Sequence, residues 1–262
     1  MQNVLNLSSG DLPVFLLAFF RVAGVMMPAP LFGSGIVPPP VKVFLSLLLA
    51  VLFFPFVGRP DSPLDAGLGV YAFAVVQELG LGLLIGFAAA MIFAAVQFGG
   101  QIIDQELGIM MANILDPLTN EQISIIGQFK LFLATVVYLM IDGHHYLLRA
   151  VADSFRAIPI TGLRLSNGAV THLSETLVKD LFRVAVQIAA PSLVTLFLIT
   201  IALAFMARTV PEMNIFVLGL SIRVAVGLGV LAIGIGTFVY GLDPLLRRED
   251  ASLRRLLGFL GG

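Results

Sequence analysis

Apolar positions along the chain gather into six long runs: Leu12–Met27, Val43–Val57, Leu68–Phe98, Ile123–Ile141, Leu181–Met206 and Ile215–Tyr240. A helix that crosses a bilayer needs about 20 mostly apolar residues, so the pattern predicts an all-α membrane-complex protein with about six long, partly broken helical segments. The third run has 31 residues, which is roughly 46 Å of helix at about 1.5 Å per residue and too long for a simple crossing. The second is short and lies between Pro38-Pro39-Pro40 and Pro55. Pro28 and Pro30 end the first run, and Pro191 interrupts the fifth. Proline removes a backbone donor and kinks or stops a helix. Breaks of that kind survive in hydrocarbon only where protein or water satisfies the freed groups.

Ionisable residues interrupt the apolar runs. Arg21, Glu78, Lys130 and Arg223 lie well inside them, and Arg183 lies near the start of the fifth. Each would cost about 2.5–3.5 kcal/mol at a bilayer centre on insertion scales. They are therefore candidates for buried charges that face protein, including contacts between subunits. Small residues recur at helix-packing spacing: Gly82 and Gly86, then Ala90 and Ala94, with Gly80, Gly227, Gly229, Gly234 and Gly236 elsewhere. They allow helices to approach closely.

Composition supports the same reading. Of 262 residues, 58% are hydrophobic and 12% charged, against about 25% charged in an ordinary soluble domain. A net charge of −1 argues against a nucleic-acid partner. With no cysteine, disulfides and thiolate metal sites are excluded. Tryptophan, which commonly marks a membrane interface, is also absent. Met1 to Gly10 holds no base, so no secretory n-region is predicted.

The longest polar region, residues 142–180, reads as a helix, a loop and the start of another helix outside the apolar layer. The tail LLRREDASLRRLLGFLGG reads as an amphipathic helix at a membrane or protein surface. Its Arg247, Arg248, Arg254 and Arg255 favour a cytoplasmic end, diluted by Asp243, Glu249 and Asp250.

One stretch stands apart. GGQIIDQELGIMMANILDP, residues 99–117, carries Asp104, Glu106 and Asp116, no base, and an Ile109-Met110-Met111 knot. It predicts a pause in the apolar layer with a deformable apolar centre, because methionine is unbranched and its thioether adapts to varied shapes. Gly108 lets the backbone turn tightly.

Enzyme chemistry finds no support. There is no phosphate-binding glycine loop, and Gly80, Gly82 and Gly86 miss the dinucleotide spacing. His144 and His145 are adjacent, so on a helix they would point about 100° apart and would not share a metal as an i, i+4 pair does. Asp104 and Glu106 have no nucleophile beside them. No cofactor or metal is expected.

Three stretches resemble one family. Residues 99–117 resemble its central loop, which leads through glycine to Asp116-Pro117. DGHHYLLRAVADSFRAIPI resembles its motif built on Asn/Asp-Gly-His and a later Phe and Pro. VPEMNIFVLGLSIRVAVGL resembles its signature Pro-Glu-Met-Asn-Ile-Phe-Val-Leu-Gly. Arg21, Pro28, Pro30, Pro38 and Lys42 fit its N-terminal part. This is the FliR/SctT export-gate family of type III secretion systems, and Asn214-Ile215-Phe216-Val217 tilts the match to the flagellar branch. Ser221 departs from the proline frequent there.

The resemblance implies a core subunit of the flagellar protein export gate, through which unfolded rod, hook and filament subunits pass. The alternative within the family is an injectisome SctT-type subunit; rivals outside it are a secondary transporter or proton channel and a passive scaffold. It implies FliP and FliQ in several copies, with FlhB and FlhA, as partners. It places the chain in the bacterial inner membrane at the flagellar basal body, in a complex extending towards the periplasm. It divides the chain into a FliP-like helical part, residues 1–180, and a FliQ-like helical hairpin, residues 181–262. Gly108, Ile109, Met110, Met111 and Ile114 would form a hydrophobic pore plug. Asp104, Glu106, Asp116 and Pro117 would anchor the loop, and Asp104 or Glu106 could instead face the pore.

Overall fold

A computed structural model describes residues 11–33, 37–58, 67–109, 124–163, 175, 177–209 and 215–261. Its elements are α1 (Leu12–Met26), α2 (Pro39–Phe53) with a 3-10 turn at Phe54–Phe56, α3 (Leu68–Leu107), α4 (Ile125–Met140), α5 (Gly143–Ala157), α6 (Val178–Thr209) and α7 (Ile215–Gly261). No strand occurs among the described residues. Four helical stretches are long and apolar enough to cross a membrane: Pro39–Phe56, Leu68–Leu107, Val178–Thr209 and Val217–Arg247. A fifth results if α4 and α5 together make one broken span.

Two helices outrun the sequence pattern. α3 continues past its apolar run to Leu107, giving 40 residues and about 60 Å of helix at about 1.5 Å per residue. That is about twice the hydrocarbon thickness. Residues 99–107 are therefore helix rather than loop, because Ile103 and Leu107 are fully buried and keep one face of the helix engaged. α7 runs 47 residues, to Gly261. α6 also passes through Pro191 without interruption, so the break expected there does not form. Proline costs one intrahelical hydrogen bond, and the packed face of α6 at Ala189, Ser192 and Leu196 is buried on both sides of it.

The chain forms two compact units. The first comprises Met1–Met91, Asp142–Val178 and Leu246–Gly262. Its core joins Leu17, Val22 and Met26 of α1, Leu81 and Ile85 of α3, Val151 and Phe155 of α5, and the end of α7. Leu253, Leu256, Leu257 and Leu260 are all buried there. The amphipathic tail thus spends its leucine stripe on its own unit, with Arg254 and Arg255 left exposed. α1 and α3 meet backbone to backbone: a Cβ on Gly24 would stand 2.5 Å from the Leu79 carbonyl oxygen, and one on Gly86 would stand 3.0 Å from the Val25 carbonyl carbon. Of the small-residue face, Gly82 and Gly86 meet α1 closely, Ala90 is half-buried and Ala94 exposed; Gly80 faces open space.

The second unit comprises Ile92–Ile141 and Lys179–Leu245. Ile103, Leu107, Ile126, Ala189 and Leu196 form one of its clusters, and Ala95, Val184 and Ala185 another. Edge-on ring pairs Phe93–Tyr138 and Phe98–Phe182 add to it. Much of the apolar surface of α6 stays exposed, including Phe197, Leu198 and Phe205.

Candidate functional site: the clasp at the base of the 109–124 segment

The start of α4 is tied to the end of α3 by polar groups. Asp104 lies on α3 and is buried, 1% exposed. Its carboxylate accepts a hydrogen bond from Ser124 Oγ at 2.5 Å and from the Ile126 N–H at 3.0 Å. Ser124 is the N-cap of α4, and its Oγ accepts in turn from the Gly127 N–H at 2.9 Å. The first backbone donors of a helix have no partner inside it. Here Asp104 takes one and Ser124 another. A carboxylate at that end is further favoured by the helix dipole. A serine before an apolar run is an N-terminus signal in the sequence, but its acid partner twenty residues earlier is a tertiary fact.

Two glycines permit this approach. A Cβ on Gly100 would stand 2.6 Å from the Gly127 backbone nitrogen, and one on Gly127 would stand 3.0 Å from the Gln97 carbonyl oxygen. α3 and α4 therefore touch through their backbones immediately beside the clasp. Gly99 likewise lies against the Ala185 carbonyl of α6, where a Cβ would stand at 2.7 Å. None of Gly100, Ser124 or Gly127 stands out in the sequence as a site residue.

At the other end of the segment, Gly108 has φ +78°, a left-handed conformation natural to glycine. Its N–H donates to the Gln105 carbonyl at 3.2 Å. Ile109 packs on the cluster of Ile103, Leu107, Ile126, Ala189 and Leu196. Met110, Met111, Ile114, Asp116 and Pro117 lie outside the described residues. Glu106 is on α3 and exposed. Asp104 is thus a helical residue that anchors α4, not a loop residue.

The buried charges have distinct fates. Arg21 is fully buried, and its Nε donates to Glu78 Oε2 at 2.6 Å. Its Nη1 donates to the Ser154 and Ile158 carbonyls at 3.0 and 2.9 Å, and its guanidinium stacks 4.6 Å from the Phe155 ring centre. Glu78 Oε1 accepts from the Thr161 N–H at 2.9 Å, which holds Thr161 at a φ of +65°. These two charges, candidates for contacts between subunits, find each other within the chain. Lys130 is 7% exposed and stands 4.7 Å from the Phe238 ring centre. Among the described residues it has no carboxylate partner. The Nε of Arg223 is buried without a hydrogen-bond partner among them.

Comparison with known proteins matches the sequence to a family. The model of the bacterial export proteins, family 1, matches residues 12–248. The flagellar biosynthetic protein FliR of Bacillus subtilis (strain 168) is 31% identical over 264 residues, covering 100% of this chain and 99% of that one. FliR of Pectobacterium carotovorum subsp. carotovorum is 27% identical over 84% of this chain and 83% of its own. FliR of Escherichia coli (strain K12) is 27% identical over 81% of this chain and 80% of its own. With long apolar helices and a match across nearly its whole length, the chain belongs to family 1 of the bacterial export proteins, as a membrane component of the flagellar export apparatus and, as its family implies, not an enzyme.

Proposed function

We propose that the chain is a core subunit of the flagellar type III export gate and that residues 108–117 close its pore while no substrate passes. The clasp between Asp104 and the start of α4 is the observation that carries this reading. A closure that yields to passing cargo needs fixed ends. The Asp104–Ser124 hydrogen bond and the Gly100–Gly127 backbone contact supply a fixed base, and the sequence between them holds the Ile109-Met110-Met111 knot and Ile114. Methionine excludes water yet deforms around varied side chains. Asp104 and Ser124 act as positioning residues, and Ile109, Met110, Met111 and Ile114 as the closing surface.

In this reading FliP and FliQ, several copies of each, cover the exposed apolar faces of α6 and α7, and FlhB and FlhA are neighbours. Residues 181–262, which hold α7 and all but the first three residues of α6, correspond to a FliQ-like hairpin, and residues 1–180 to a FliP-like part. The assembly sits in the inner membrane and extends towards the periplasm, and its cargo is unfolded rod, hook and filament subunits.

The test is a Met110→Ser/Met111→Ser double change in the assembled complex, with assembly verified by copurification. Ion leakage through idle gates is expected to rise. Unchanged leakage from a fully assembled variant complex rejects the plug. Substrate or proton transport by the purified chain alone in liposomes would overturn the subunit reading in favour of a transporter or channel.

A further inference from the structure

The turn between α4 and α5 holds a cluster that the export reading does not use. Asp142 precedes α5 with φ +57° and ψ +33°, a left-handed conformation that asparagine and aspartate adopt more readily than most residues. An aspartate at a helix N-cap ordinarily accepts from the first-turn N–H groups. This one makes no such hydrogen bond. Its Oδ1 instead lies 3.4 Å from His145 Nδ1. The His144 and His145 rings are 4.2 Å apart at their centres and tilted by 35°. One ligand atom from each of Asp142, His144 and His145 lies within 4.8 Å of the others. Adjacent helical positions diverge by about 100°, yet the side-chain torsions bring these rings and ligand atoms together.

We infer that Asp142, His144 and His145 bind one divalent transition-metal ion of the zinc class. Zinc bonds imidazole nitrogen and carboxylate oxygen at about 2.0–2.2 Å in a tetrahedron, so neighbouring ligand atoms stand about 3.4 Å apart. The Asp142–His145 separation of 3.4 Å is long for a charged hydrogen bond and equals that tetrahedral edge. His144 completes the set through a modest turn of a half-buried ring. Its Nδ1 is buried with no hydrogen-bond partner among the described residues, so the protein does not claim that nitrogen. Two imidazoles with one carboxylate suit zinc, nickel or copper, whereas magnesium and calcium prefer oxygen ligands. Asp142 and His145 are exposed, so the ion arrives from water, and the fourth position stays open to a solvent molecule. No other group of three such side chains gathers among the described residues.

The full chain, purified in mild detergent without a histidine tag and stripped of metal, is titrated with Zn²⁺ against a chromogenic chelator. One equivalent is expected to bind at micromolar or tighter affinity, with Mg²⁺ and Ca²⁺ failing to compete. Changing a residue that merely supports a metal ligand weakens binding by about 10–100-fold. His144→Gln and His145→Gln remove a ligand outright and should reach or pass the upper end of that range. The chain has three histidines, and His172→Gln should leave affinity unchanged. Cu²⁺ electron paramagnetic resonance should show coupling to two nitrogens, reduced to one in either variant. Circular dichroism of the metal-free variants checks that they fold. Equal affinity in the wild type and the His144→Gln/His145→Gln double variant, or no nitrogen coupling, overturns the site.

Discussion

Arg21 and Lys130 are both cations buried on apolar helices, yet the two units treat them differently. In the first unit Arg21 meets a carboxylate, two carbonyls and an aromatic ring. In the second, Lys130 meets the Phe238 ring and, among the described residues, no acid. Around Lys130 lies a cavity of about 410 Å³ that includes Phe129, Gln187, Ser192, Thr237 and Phe238 in its walls. A buried charge is tolerated when paired and hydrogen-bonded and is costly otherwise. The first unit therefore pairs its buried cation with an acid of the same chain, leaving only Nη2 of the guanidinium without a hydrogen bond among the described residues, while the second holds its buried cation beside a cavity with no acid among the described residues.

The strongest way to break this contrast is to remove one side of the paired charge. Glu78→Leu strands a fully buried guanidinium, and breaking a buried pair costs about 3–5 kcal/mol. Little folded protein should be recovered in detergent, and the Arg21→Met/Glu78→Leu double variant should recover more than Glu78→Leu alone. Unaltered thermal melting of the Glu78 variant would show that the pair does not hold the unit. A smaller effect is expected at the clasp. Asp104→Ala leaves Ser124 Oγ and the Ile126 N–H without their acceptor, worth about 1–3 kcal/mol for a buried polar group left unsatisfied. The melt should shift down, and hydrogen exchange at the start of α4 should quicken; protection equal to wild type would remove the anchor. The smallest effect on the isolated chain sharpens the contrast. Lys130→Met keeps the length and removes the charge, so the melt of the chain alone should stay level or rise, while copurification with export partners should fall. A large loss of stability in the isolated chain would mean that the cation–π contact alone sustains Lys130.

Much of the helical content was legible because long apolar runs have few alternatives in a chain so poor in charge. Arg21, Glu78 and Lys130 were legible as buried for the same reason, since their surroundings in sequence are uniformly apolar. Their partners were not, because Arg21 and Glu78 are 57 residues apart and nothing local joins them. The run 99–107 looked like a pause because Asp104 and Glu106 carry charge. Asp104 can stay helical and buried only because Ser124 and the first turn of α4 give it donors, and that geometry exists only once the fold is formed. Pro191 misled in the opposite sense: its local penalty is outweighed by burial on either side. The nearness of the His144 and His145 rings was not legible, because a periodicity gives the direction of a Cβ and not the torsions beyond it.

The ring of contacts around Arg21 also bears on the order in which the chain is made. Its guanidinium emerges from the ribosome 57 residues ahead of Glu78 and 133 ahead of the Ser154 carbonyl. Until Glu78 follows, α1 thus carries a cation without its acid, at a cost of about 2.5–3.5 kcal/mol wherever it lies deep in lipid. The full set of Arg21 contacts is therefore complete only once α5 and the residues just after it have been translated.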